Sequence, residues 1–207
     1  FINNEQGAFG VFDGMGGAAA GEVASGIALD IASKELALVP TNLSDEDAER
    51  ALAKILFDID LAIRNKILEN PAYKDMGTTA SIVKYLDSQN DEQRVCVGNV
   101  GDSRVYIKNI SGELVPVTLD DNLHLRAIAD QKGYAEAMRI QRKLSEAQDS
   151  TSLTTDERTV HDNRFVISQA LGTGTKEDPI KPRMYSIILK KGEELLITSD
   201  GIHDNLT

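Results

Sequence analysis

Tight polar turns between consecutive β-rich segments limit the folds open to this chain. The predicted strand pairs are 79–86 with 93–100, 104–107 with 114–118, and 183–189 with 194–198. Their turns contain Asn90-Asp91, Ser111-Gly112 and Lys190-Lys191-Gly192, which are typical turn residues. Strands joined by such short connections run antiparallel, because a parallel crossover needs about a dozen residues or more. The sequence therefore predicts hairpins of antiparallel sheet with helices, and excludes a doubly wound parallel fold.

Two helices are predicted in the N-terminal third of the chain. The first covers about Gly21 to Ala37. The second begins after Ser44, a suitable N-cap followed by three acidic residues, and ends before Pro71. Its apolar stripe consists of Leu52, Ile55, Leu56, Ile59, Ile63 and Ile67. Further along, residues 123–150 predict polar helices, and residues 149–163 predict an exposed loop.

The charge and composition exclude several classes of function. A formal net charge of −11 argues against nucleic acid as a partner, because phosphate binding needs clustered Lys and Arg. No apolar run approaches the roughly 20 residues of a membrane span, and no secretory signal is apparent. The single Cys96 cannot form an internal disulfide. We therefore expect a cytoplasmic protein. We also expect a monomer.

The glycine-rich segment after the first predicted strand allows more than one interpretation. Residues 14–19 match the pattern G-x-G-x-x-A of dinucleotide-binding loops. Against this, Asp13 would repel a pyrophosphate, and a second helix follows where a parallel strand is required. A plain glycine turn is another interpretation. The interpretation we favour places the Asp13 carboxylate and the Gly14 carbonyl near one hard cation such as Mg²⁺ or Mn²⁺.

The same arrangement of an Asp beside a Gly after an apolar strand occurs twice more. Asp102 follows Gly101, and Asp200 precedes Gly201. Each pair taken singly is typical of a turn. Carboxylates about 4 Å apart repel one another, so three such ends meeting in space would favour a metal site.

Five short motifs stand out along the chain: Phe12-Asp13-Gly14-Met15-Gly16-Gly17, Gly77-Thr78-Thr79, Gly101-Asp102-Ser103-Arg104, Ala170-Leu171-Gly172 and Ser199-Asp200-Gly201. With these motifs the chain resembles the metal-dependent protein phosphatases of type 2C, particularly their bacterial branch. The motifs occur in the family's order and cover nearly the whole chain. The resemblance implies an α+β fold of two antiparallel sheets packed face to face, flanked by helices on both sides as four α-β-β-α layers.

The resemblance also implies the site. Two Mn²⁺ or Mg²⁺ ions would be bridged by Asp13, with the Gly14 carbonyl on one ion and Asp200 on the other. Asp102 and Asp200 correspond to positions that can hold a third, weaker ion. Asp13 and Asp200 would thereby position a metal-activated water for attack on phosphorus. The implied activity is hydrolysis of phosphoserine and phosphothreonine in proteins that a Ser/Thr kinase modifies.

Two other functions stay open at this point: an inactive phosphatase-like scaffold or sensor, and a sporulation-type regulatory phosphatase dedicated to one partner. We expect one domain over residues 1–207 that lacks the family's first and last motifs, with a flap-like insertion over 123–163.

Met15 and Ala18 stand where relatives have His, so no general acid is assigned. Asp121 replaces the His of the family's Thr-x-Asp-His, although a polar turn is an equal interpretation.

Overall fold

The computed structural model describes residues 1–88, 92–146 and 153–203, and its regular elements are ten strands and six α-helices. The strands are β1 (Ile2–Asn3), β2 (Ala8–Val11), β3 (Gly14–Met15), β4 (Gly77–Thr78), β5 (Ala80–Tyr85), β6 (Gln93–Val100), β7 (Arg104–Lys108), β8 (Leu114–Pro116), β9 (Arg183–Leu189) and β10 (Glu194–Thr198). The helices are α1 (Ala18–Leu38), α2 (Asp45–Glu69), α3 (Leu123–Lys132), α4 (Tyr134–Glu146), α5 (Thr155–Asp162) and α6 (Asp200–His203), with a 3₁₀ turn at Pro71–Tyr73. Among these residues no helix is both long and apolar enough to cross a membrane.

The strands form two antiparallel sheets and a short third pair. The larger sheet has the order β1-β2-β5-β6-β9, the smaller has the order β10-β7-β8, and β3 pairs with β4. Successive residues of a strand point to opposite faces, and this separates two cores. Val83 of β5 and Val97 of β6 pack with Val105 of β7 between the two sheets. The sheets therefore form the expected sandwich.

The opposite face of the larger sheet is covered by α1 and α2. Ile82 of β5 belongs to the same buried cluster as Ala28 of α1 and Leu56 of α2. Ser44 caps α2 by accepting a hydrogen bond from the Asp47 N–H, as its sequence predicts. On the other side of the sandwich, Arg104 of β7 donates a hydrogen bond to Ser145 of α4. Helices thus lie on both outer sides, and the expected fold is confirmed.

Two predictions of local structure were wrong. Residues 155–162 form α5, because Thr154 and Glu157 make a reciprocal capping box; residues 149–152 of the expected loop lie outside the described residues. The strands β9 and β10 do not form a hairpin. After the turn closed by the Glu193 N–H and the Lys190 carbonyl, the chain crosses from the larger sheet to the smaller one, where β10 pairs with β7.

Candidate active site

Three aspartates lie at the ends of strands from both sheets. Asp13 follows β2, Asp102 follows β6, and Asp200 follows β10 at the first residue of α6. The carboxyl groups of Asp13 and Asp200 lie close enough that Asp200 raises the pKa of Asp13. Asp102 lies close enough to Asp200 for the two charges to interact. The fold therefore brings Asp13 against Asp200 and places Asp102 within range of the Asp200 charge, whereas the sequence had left open whether these strand ends meet.

The pKa values of Asp13 and Asp102 are raised, as expected for acidic groups that lie close together. Burial and the neighbouring Asp200 carboxyl raise the pKa of Asp13. Burial, followed by the charges of Asp120 and Asp200, raises the pKa of Asp102 to about 7. The positive charge of Arg104 opposes the rise at Asp102. A cation between these groups would relieve both effects.

The backbone of Asp13 is held by two threonines of the Gly77-Thr78-Thr79 motif. The Asp13 N–H donates to Thr79 Oγ1 at 3.1 Å, and the Thr79 N–H donates back to the Asp13 carbonyl at 2.8 Å. The hydroxyl of Thr78 donates to the same carbonyl at 2.9 Å. These bonds leave little freedom for the start of the glycine-rich segment.

A buried hydroxyl pair links this segment to the Asp102 loop. Thr79 Oγ1 and Ser103 Oγ are 2.7 Å apart. The hydroxyl of Ser81 donates to the Ser103 carbonyl at 2.9 Å and also to the Asn99 side chain. The positions of Asp13 and Asp102 are therefore coupled through one hydrogen-bond network.

Glycine is required in the loop for steric reasons. A Cβ at Gly14 would lie 2.1 Å from the Gly21 carbonyl oxygen of α1. Gly16 has a φ of 107°, and a Cβ there would lie 2.3 Å from the Asp75 carbonyl oxygen. The loop thus passes closely over the start of α1, and this close approach accounts for the pattern that resembles a dinucleotide loop.

The Ala170-Leu171-Gly172 motif packs against the same segment. Leu171 forms an antiparallel bridge with Thr78, with N···O distances of 3.0 and 2.9 Å. The Gly172 N–H donates to Asp60 of α2 at 2.8 Å. Asp60 is buried and also pairs with Arg64 at 2.8 Å. Helix α2 is therefore connected to the site by the hydrogen bond between the Asp60 side chain and the Gly172 backbone.

The Thr118–Asp121 segment connects the site to the helices that follow it. Asp120 accepts two hydrogen bonds from Arg104, at 2.8 and 2.7 Å. Gln141 of α4 bonds to the Asp120 N–H and to the Thr118 carbonyl. Asp121, which stands where the family has His, is fully buried and accepts a hydrogen bond from the Gly101 N–H at 2.9 Å.

Met15 and two of the histidines take no part in this geometry. Met15 is 39% exposed on β3. His124 lies in the first turn of α3, where its N–H donates to the Asn122 cap, and the ring of His161 contacts the adjacent Asp162 at 3.0 Å. Asp204 and Asn205 lie outside the described residues. No general acid is assigned.

The donor set fits a hard divalent cation. The Asp13 and Asp200 carboxyls and the Gly14 carbonyl all offer oxygen, the ligand atom that Mn²⁺ and Mg²⁺ prefer. No positive charge within the described residues lowers the pKa of Asp13. Over 1–88, 92–146 and 153–203, however, no three acidic, His or Cys side chains meet closely enough to hold one ion by themselves. The fit therefore rests on the Asp13–Asp200 pair.

Three buried polar residues support the site from the interior and were not identified from the sequence. Ser81 and Asn99 are fully buried in β5 and β6, and Asp60 is buried in α2. The signal was present in the sequence, because a polar residue within an apolar strand or stripe has to find a partner. The hydrogen-bond partners of these three residues could not be predicted, since each bond joins segments that are distant along the chain.

Comparison with known proteins supports a common fold and family. The chain is 27% identical over 191 residues to the protein phosphatase PhpP of Streptococcus pneumoniae serotype 2, covering 92% of this chain and 65% of PhpP. It thus spans slightly less than two thirds of that relative.

Two solved structures are also similar. The phosphatase Stp1 of Staphylococcus aureus superposes with a TM-score of 0.68 at 26% identity, covering 97% of this chain and 67% of Stp1. The catalytic domain of the phosphatase PstP, solved with two manganese ions, has a TM-score of 0.62 at 22% identity, covering 100% of this chain and 76% of that domain.

The family model for protein phosphatase 2C matches residues 2–207, which is nearly the whole chain. The match includes each of the Asp-Gly motifs that the fold gathers at one edge of the sandwich. The chain belongs to the protein phosphatase 2C family.

Proposed function

We propose that this chain carries the catalytic site of a metal-dependent phosphatase that hydrolyses phosphoserine and phosphothreonine in proteins. The observation that carries the proposal is the contact between the Asp13 and Asp200 carboxyls, which come from strands of different sheets. Such a pair is costly to bury without a cation, and it is suited to sharing divalent ions.

Asp13, the Gly14 carbonyl and Asp200 would hold two Mn²⁺ or Mg²⁺ ions, and Asp102 with Asp200 would hold a third, weaker one. Ions of this kind lower the pKa of water and neutralise phosphoryl oxygens, which are the two requirements of phosphate ester hydrolysis. PstP, a relative of the same fold, was solved with two manganese ions. This supports manganese as the metal to test first.

The chain's own residues orient this donor set. Thr78 and Thr79 hold the backbone of Asp13, and the Thr79–Ser103 contact sets its distance from the Asp102 loop. Preorganised donors of this kind avoid the cost of rearrangement when the substrate binds. Gln141 of α4 bonds to the Asp120 N–H, and on this basis we propose that segment 123–163 forms the flap that selects the phosphoprotein.

The proposed substrates are proteins phosphorylated by a Ser/Thr kinase, and the names of PhpP and PstP as protein phosphatases support this class. We extend the proposal to a monomer acting in the cytoplasm. Cys96 is the single cysteine and forms no disulfide, which is consistent with a reducing compartment.

The test is hydrolysis of a phosphothreonine peptide and of p-nitrophenyl phosphate by the full-length protein, in Mn²⁺ and in chelator. We expect turnover that depends on Mn²⁺ and is abolished in Asp13→Ala. Asp58→Ala is the matched control, because Asp58 is an acidic residue of α2 that pairs with Lys54 at the surface. Retention of a third of wild-type turnover by Asp13→Ala would contradict the assignment. Mn²⁺ binding without any turnover would indicate a scaffold instead.

A further inference from the structure

Asp121 is a fully buried carboxylate that joins three distant segments. Its Oδ2 accepts hydrogen bonds from the Gly101 N–H at 2.9 Å and from Gln169 Nε2 at 2.6 Å. Its Oδ1 accepts from Arg183 Nε at 3.3 Å. The Asp102 loop, the segment before Ala170-Leu171-Gly172, and the start of β9 are therefore bonded to one side chain.

Asp121 holds Gly101 by two hydrogen bonds at once. Besides its carboxylate contact with the Gly101 N–H, the Asp121 N–H donates to the Gly101 carbonyl at 2.9 Å. On its other side Gly101 is confined by Thr79, since a Cβ at Gly101 would lie 2.7 Å from Thr79 Cγ2. Gly101 has a φ of 95°, so its conformation is one that few other residues adopt. The peptide that precedes Asp102 is thus fixed on both sides.

The surrounding charges fit an ionised carboxylate. Every partner of the Asp121 carboxylate is a donor, and Arg126 Nη1 lies 3.8 Å from Oδ1 in addition to Arg183. Burial raises the pKa of Asp121, and the contacts with Gln169, Gly101, Arg183 and Arg126 oppose that rise. A His side chain, as in the family's motif, could not accept from Gly101 and Arg183 in this bidentate way.

We propose that Asp121 is a positioning residue, which sets the place of Asp102 through the Gly101 peptide and so determines the affinity for the weaker ion. The inference rests on the proposed function, because it takes Asp102 to be a ligand of that ion. Groups that orient ligands from behind commonly change metal affinity or activity by about 10- to 100-fold when they are removed. Asp121 would change Mn²⁺ affinity by a similar factor without contacting the substrate or the metal.

Two substitutions separate positioning from general stability. Asp121→Leu keeps the branched shape of the side chain and removes the acceptor for Gly101. Asp121→Asn keeps an oxygen acceptor for the Gly101 N–H and removes the charge that pairs with Arg183. We expect both variants to melt at a lower temperature than the wild type, and only the Leu variant to lose Mn²⁺ affinity.

The first experiment is calorimetric titration of the full-length protein with Mn²⁺, together with turnover per folded protein. Asp121→Leu should weaken the third ion about tenfold or more and leave the two tighter sites in place. Asp121→Asn should stay within about threefold of the wild type. The control is Glu157→Gln, which removes another buried carboxylate, on α5, and should leave Mn²⁺ binding unchanged.

The second experiment combines Asp121→Leu with Asp102→Ala. If Asp121 acts through Asp102, the Leu substitution has no further effect on turnover or Mn²⁺ binding in that background. If Asp121→Leu lowers turnover and Mn²⁺ affinity equally with Asp102 present and with Asp102→Ala, the role of Asp121 is merely structural and the inference is overturned. If Asp121→Leu does not fold, the inference is tested with Asp121→Asn alone. A tenfold loss of Mn²⁺ affinity in the Asn variant overturns the inference. A wild type that neither binds Mn²⁺ nor hydrolyses phosphate overturns the proposed function itself, which is a distinct result.

Discussion

The carboxyl groups of Asp13 and Asp200 meet across the junction of the two sheets, where Asp200 raises the pKa of Asp13. Neither carboxyl has a hydrogen-bond donor when both are ionised, so the two groups repel one another unless a proton or a cation lies between them. The raised pKa of Asp13 follows from its burial and from this contact. A divalent cation between the two groups would convert a repulsive pair into a pair of ligands.

Divalent ions should therefore stabilise the folded protein. An ion that binds the native state alone contributes about 2.7 kcal/mol at a hundredfold excess over its Kd. For a domain of this size, that corresponds to a rise in melting temperature of about 5–10 °C. The measurement is thermal unfolding of the full-length protein in millimolar Mn²⁺ and in chelator.

Asp13→Asn is the variant that tests the origin of this effect. Its amide can donate to Asp200, so the variant should melt higher than the wild type in chelator and gain less from Mn²⁺. Monovalent salt at matched ionic strength is the control, because screening also relieves a net charge of −11. The assignment of the pair is wrong if salt reproduces the whole Mn²⁺ effect.

Asp102→Ala should lower turnover while two tight Mn²⁺ sites remain. Asp200 acts on Asp102 through its charge alone and acts more directly on Asp13, so Asp102 is expected to lie outside the pair that holds the two tighter ions. Calorimetry with Mn²⁺ and steady-state turnover measure the two effects separately. Loss of a tight site would place Asp102 among the core ligands instead.

Two glycines near the N-terminus of α1 should respond to alanine with opposite signs. Gly14→Ala places a Cβ 2.1 Å from the Gly21 carbonyl oxygen, and the backbone has to shift at a cost of about 1–3 kcal/mol. Gly26→Ala meets nothing within 4 Å on an exposed face of α1, and it should stabilise the helix by up to about 1 kcal/mol. Denaturant unfolding of both variants measures the difference. Equal effects would contradict the close packing of the loop over α1.

Glu157 should contribute stability that is lost in acid. Its hydrogen bond from Lys143, its bonds at the Thr154 cap and the charge of Lys143 lower the pKa of Glu157 to about 2, from an ordinary value of 4.5. Because the pKa is lower in the folded state, the contribution is complete above about pH 4.5 and disappears as the pH falls through about 2. The wild type should therefore melt several degrees above Glu157→Gln at pH 6, with the gap closing in acid.

The control for this comparison is Glu136→Gln, since Glu136 shares Arg139 with Glu157 and is more exposed. Its effect on the melting temperature should be smaller at every pH, because exposed ion pairs contribute little. A gap between the wild type and Glu157→Gln that stays constant from pH 6 to pH 2 would rule out the proposed linkage.

Much of the secondary structure follows from local sequence. The Ser44 cap and the apolar stripe that includes Leu52 and Ile59 define α2, and both act within a few residues along the chain. The hairpin of β5 and β6 follows from a polar turn between two apolar runs. Helix α5 was predictable in the same way, because the Thr154–Glu157 capping box is a local signal.

The tertiary structure decided which distant segments share a sheet and which acidic groups meet. Local rules predicted a hairpin for β9 and β10. In the structure the two strands belong to different sheets, and their apolar side chains face each other across the core between the sheets, where Ile187 and Leu195 lie in the same cluster. The sequence placed Asp13, Asp102 and Asp200 at strand ends, whereas the packing of the two sheets brought Asp13 against Asp200. Asp121 shows the same limit. Its position after β8 marks it as a turn residue, and its burial beneath Gly101 depends on partners that lie far away along the chain.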